Sequence, residues 1–119
     1  MRLHHVQVAC PRGGEDAARR FYAEGLGMAE VAKPANLAGR GGCWFRLGGA
    51  EIHVGVEEPF APARRAHPAL VVDDLDAVTA RLVGLGFAVD WTERHTFPGF
   101  ERCHTHDAHG NRVELLSGG

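Results

Sequence analysis

AEIHVGV, residues Ala50 to Val56, is the stretch that decides the fold. Ile52, Val54 and Val56 alternate with Glu51, His53 and Gly55, the two-residue period of a strand with one buried face. The second face carries a histidine where a solvated strand carries Lys or Thr, so it looks onto something other than bulk water. The same grammar returns near the other end of the chain. In RVELLS, Arg112 to Ser117, Val113 and Leu115 alternate with Glu114.

Working outward, each segment closes a β-α-β-β-β pattern. In the first copy LHHVQVAC (residues 3–10) reads as a strand, with Val6 and Val8 opposed to His5, Gln7 and Ala9. An amphipathic helix over 13–26 follows, with Glu15 and Asp16 in its first turn and Ala18, Phe21, Tyr22 and Leu26 at helical spacing. Strands then fit 28–32, 43–47 and 50–56, and Gly48-Gly49 supplies a hairpin turn. After the proline-rich PFAPARRAHP the pattern restarts. Pro68, Leu70 and Val72 alternate with His67, Ala69 and Val71, and Asp73 or Asp74 caps a helix built on Leu75, Val78, Leu82 and Leu85. Strands at 87–91, 101–106 and 112–117 complete the second copy, with His109-Gly110-Asn111 at the last turn.

The repeat converts isolated residues into pairs. His5 and His53 are 48 positions apart (53 − 5), His67 and Glu114 47 apart (114 − 67), and a glycine, Gly49 or Gly110, lies four residues before the last of each pair. All four side chains lie opposite the aliphatic rows expected under the helices. They are therefore expected to converge on a concave interior between two modules. Three imidazoles and a carboxylate gathered there, each costing roughly 1–3 kcal/mol if buried without a partner, call for a divalent cation. The donor types suit Zn, Ni, Mn, Co or Fe and do not choose among them. A cation so held can polarise a carbonyl or stabilise an enolate or oxyanion.

Composition removes other classes. With 119 residues, 45% of them hydrophobic, the chain builds one domain. A net charge of −2 with scattered arginines offers no nucleic-acid face, and no apolar run is long enough for a membrane span. Cys10, Cys43 and Cys103 have no C-x-x-C spacing, which points to a reducing, cytoplasmic setting. Ser117 is the only serine and Lys33 the only lysine, leaving almost no candidate for acyl-serine or Schiff-base chemistry. GLGMAE (25–30) follows a helix and is no dinucleotide loop, and 39–42 lacks the lysine of a phosphate loop. In CHTHDAHGNR, His104 and His106 share a strand face and could form a second site with His109; a solvated hairpin is the plainer account.

LHHVQVA, DAARRFYAEGLGM, HPALVVDDLDAV and DAHGNRVELLS together resemble the vicinal oxygen chelate superfamily, which includes glyoxalase I, methylmalonyl-CoA epimerase, extradiol dioxygenases, fosfomycin-resistance thiol transferases and bleomycin-binding proteins. Its F-Y-x-x-x-L-G and D-x-x-G-N-x-[IV]-E-L signatures specify the fold and not the reaction. The resemblance implies an α+β domain over 1–119, its modules at about 1–58 and 65–119, forming a curved mixed-sheet cup with helices outside, in a homodimer. It also implies one divalent metal, with first-strand ligands at His5 and His67 and a last-strand ligand at Glu114. The remaining position, Glu or Gln in glyoxalase I and the epimerase, is His53, a departure that leaves it as fourth ligand or as base. The resulting expectation is a metal-dependent, glyoxalase-like lyase or isomerase for a small carbonyl or oxygen-rich substrate, with His53 and Glu114 at the chemistry. The alternatives are a non-catalytic small-molecule-binding or antibiotic-resistance protein and an Fe(II) ring-cleaving dioxygenase.

Overall fold

The two alternating segments are interior strands of two sheets. In the computed structural model, which describes residues 1–118, AEIHVGV is β4 (Ala50–Val56) and RVELLSG is β8 (Arg112–Gly118). The first module comprises β1 (Val6–Cys10), α1 (Glu15–Arg19), β2 (Ala29–Val31), a short α2 (Ala35–Ala38), β3 (Cys43–Leu47) and β4, in sheet order β1-β4-β3-β2. The second comprises β5 (Ala69–Val71), α3 (Leu75–Gly84), β6 (Val89–Asp90), β7 (Phe100–His106) and β8, in the matching order β5-β8-β7-β6. In both, the first strand runs parallel to the last and the remaining pairs are antiparallel.

Local chemistry explains most of these bounds. Asp74 caps α3 by accepting the Ala77 N–H at 3.0 Å. The first helix widens instead of stopping: Arg20–Gly25 is π-helical, and the Leu26 N–H reaches five residues back to the Phe21 carbonyl at 2.9 Å. That wider turn leaves Phe21, Tyr22 and Gly25 buried, where an amphipathic α-helix through residue 26 is the sequence expectation.

Ile52 and Val54 from β4, Val113 and Leu115 from β8, Phe21 and Tyr22, and Leu75, Val78 and Leu82 from α3 form one core. The helices thus cover the aliphatic faces, and the histidine faces are left on the far side of each sheet. Gly25 permits the closest helix approach, since a Cβ there would lie 2.6 Å from Leu82 Cδ2.

Polar bonds stitch the modules together at the D-x-x-G-N turn. Asp107 Oδ1 accepts the N–H groups of His109 (2.9 Å) and Asn111 (3.0 Å), and its Oδ2 accepts the buried Tyr22 hydroxyl at 2.7 Å. Asn111 Nδ2 donates to the Ala9 carbonyl at 2.7 Å, and Gly110 takes the positive φ (87°) the turn needs. The two sheets do not close on one another within the chain. The expected pair of βαβββ modules is present, as two open four-stranded mixed sheets sharing a core.

Candidate metal centre

In the second module three side chains meet. Ala69 pairs with Glu114 across β5 and β8, which puts His67, two residues earlier, on Glu114's face; His104 pairs with Glu114 across β7 and β8. His67 Nε2 lies 3.1 Å and His104 Nε2 3.2 Å from the same oxygen, Glu114 Oε1. The ligand atoms of all three lie within 4.8 Å of one another. The other carboxylate oxygen is occupied, because Arg102 Nη1 donates to Oε2 at 3.3 Å. Burial would raise the Glu114 carboxyl, but hydrogen bonds from His67 and Arg102 outweigh it and hold the group below its ordinary value.

The tautomer of His67 makes this cluster more than a polar contact. Its Nδ1 stands 2.8 Å from the Arg65 carbonyl oxygen, which can only accept, so Nδ1 carries the proton. In a neutral ring Nε2 would present a lone pair to a carboxylate oxygen, whereas an imidazolium would donate to it. Two acceptors at that range need a cation between them or a second proton on the ring. His104, pushed below its ordinary value first by burial and then by Arg112, favours the neutral form that a metal binds.

The first module uses the equivalent places differently. His5 and His53 are brought together, but as a stack, with ring centroids 3.8 Å apart and 15° between planes. Trp44 covers the other side of His53 at 3.7 Å and 3°. His53 Nε2 donates to Glu51 Oε2 at 2.7 Å, and hydrogen bonds from His53 and Arg46 bring the Glu51 carboxyl down to about 2. His53 itself is lowered by burial, against the pull of Glu51. With Nε2–H donating to Glu51, the free lone pair of neutral His53 is on Nδ1.

Of the four residues singled out by the repeat, His67 and Glu114 share one cluster and His5 and His53 another. His5 and His67 both line a single open groove of about 1010 Å³ between the edge strands β1 and β5. His104 does not lie on a solvated hairpin face: it is 6% exposed and pairs across from Glu114. Its signal lay in the shared face with Glu114, ten residues on, which becomes legible only once the β7–β8 register is known. His109 is structural, its Nε2 meeting the Gly14 carbonyl at 2.8 Å. The glycine segment before β3 is tied down, with the Gly42 N–H donating to Glu15 Oε2 at 3.0 Å.

Comparison with known proteins agrees with this architecture. The model of the Glyoxalase/Bleomycin resistance protein/Dioxygenase superfamily matches residues 2–115. A Bacillus anthracis protein assigned to the glyoxalase family is 44% identical, with a TM-score of 0.92 over 100% of this chain and 96% of that one. TnmS3, an antibiotic binding protein from Streptomyces sp. CB03234, is 25% identical, with a TM-score of 0.71 over 100% and 99%. The fosfomycin resistance protein FosX from Listeria monocytogenes shares the fold at 15% identity, with a TM-score of 0.78 over 100% and 94%. No curated protein matches the chain.

Proposed function

Because the chain belongs to the Glyoxalase/Bleomycin resistance protein/Dioxygenase superfamily, we propose that it is a metal-dependent, glyoxalase-like enzyme acting on a small carbonyl or oxygen-rich substrate. The observation that carries this reading is His67 Nε2 facing Glu114 Oε1 at 3.1 Å while its Nδ1 is committed to the Arg65 carbonyl, an arrangement that a divalent ion satisfies. His67 and Glu114 hold the ion. When bound, it supplies Lewis-acid polarisation of a substrate carbonyl or stabilisation of an oxyanion.

The remaining work falls to the chain's own residues. Arg102 fixes Glu114 by one oxygen and leaves the other facing the two histidines, and the Arg65 carbonyl orients His67. His53, held by Glu51 and clasped between two rings, is the base, with Nδ1 as the accepting atom.

The two faces reach a common substrate through a second copy of the chain. The edges of β1 and β5 are unpaired, and Leu3 (77% exposed) and Val71 (67% exposed) line the groove between them. A second copy set against these edges brings its own His5 and His53 toward His67 and Glu114. Metal analysis of protein purified without added salts, together with its mass in solution, tests the reading. Co-purified divalent metal in a dimer supports it; a metal-free protein that takes up no added Zn, Ni, Mn, Co or Fe refutes it.

A second reading, sequestration of a small molecule without chemistry, is favoured by the breadth of the groove and by the likeness to TnmS3. It predicts ligand affinity that is indifferent to metal removal.

A further inference from the structure

Resting on the metal reading above, we propose that His104 is a third protein ligand, so that His67, His104 and Glu114 of a single chain form a complete two-histidine, one-carboxylate set. Both Nε2 atoms address one carboxylate oxygen, at 3.1 and 3.2 Å. The two rings are tilted 73° to one another with centroids 5.8 Å apart, so both Nε2 atoms reach that oxygen from rings that do not stack. His104 is placed by register and not by a loop: it sits directly across from Glu114 on the neighbouring strand. Thr105, next to it, is anchored through its hydroxyl to the Ala88 carbonyl at 2.7 Å, which fixes β7 at this point.

The first module supplies the internal control. The register slot facing His53, as His104 faces Glu114, holds Trp44. An indole donates and cannot ligate, and there the rings stack face to face instead of converging on a point. Among the described residues the three-donor set therefore belongs to the second module alone, and it needs nothing from His5 to be tridentate. Positions beyond those three stay open to substrate oxygens or to a residue of a second copy.

Titration of metal-free protein with Co(II), followed by its visible absorption bands and by competition with a chelator, tests this without reference to turnover. The wild type is compared with His104→Ala, His67→Ala and the exposed neighbour His106→Ala. A residue that only orients a ligand typically costs 10–100-fold in affinity, so loss of a ligand is expected to raise the Kd by more than about 100-fold in His104→Ala and to shift the bands. His106→Ala is expected to leave both unchanged. A smaller rise, or unshifted bands, in His104→Ala while His67→Ala loses the metal overturns the role of His104 and leaves the metal reading standing. Retention of Co(II) by His67→Ala overturns the metal reading itself. Should His104→Ala fail to fold by circular dichroism, His104→Gln, which can still donate to Glu114 but ligates poorly, is judged by the same criteria.

Discussion

The two modules place three side chains at matching points and put them to different uses. His5, His53 and Trp44 in the first correspond to His67, Glu114 and His104 in the second. The first trio is a stack of rings around a histidine that donates to Glu51; the second converges on one oxygen. Two substitutions, His53 for a carboxylate and Trp44 for a ligand, separate a base from a metal centre on one backbone design. A duplicated scaffold thus fixes where side chains meet and leaves to single residues what they do there.

The sharpest way to break the comparison is at the turn that holds the halves together. Asp107→Ala strands the Tyr22 hydroxyl, two backbone N–H groups and the Asn111 amide at once, and is expected to cost about 3 kcal/mol or more, read by urea unfolding. Next, Glu114→Gln is expected to weaken metal binding by about 100-fold, since it removes the only carboxylate of the cluster, whereas His53→Gln is expected to lower turnover far more than metal content. Isothermal titration paired with kinetics separates the two. Equal loss of metal in both variants would make the modules contribute alike. Gly25→Ala, which sets a methyl against Leu82, is expected to destabilise by about 1–3 kcal/mol with metal affinity retained.

The smallest effect concerns acid. The Gly42 N–H bond holds the Glu15 carboxyl below its ordinary value, so its contribution is present above the unfolded pKa of about 4.3 and is lost as pH falls through the lower folded value. Glu15→Gln is expected to lower stability modestly near neutrality, where the carboxylate's contribution is present, and to flatten the fall in stability below about pH 5. An unaltered acid limb would remove that link between α1 and the segment before β3.

Alternation and glycine spacing were enough to read both modules from the chain, because strands with one buried face leave a two-residue period that nothing else imitates. β3 and β4 fall at the expected bounds, and the parity opposing His5 to Val6 and His53 to Ile52 holds in the register. What could not be read depended on distance across the fold. The π-helical turn at Arg20–Gly25 answers to packing against α3, and His104 joins Glu114 through strand pairing that no local pattern encodes. The convergence of all four repeat-related residues was half legible. It holds within each sheet, but the sheets of one chain stay open.

The central claim is that the second module holds a divalent ion. The most direct measurement is anomalous scattering from crystals of the protein loaded with Zn or Co. The account predicts an anomalous peak about 2.0–2.2 Å from His67 Nε2 and from a Glu114 oxygen. A peak elsewhere, or none in fully loaded crystals, would contradict it.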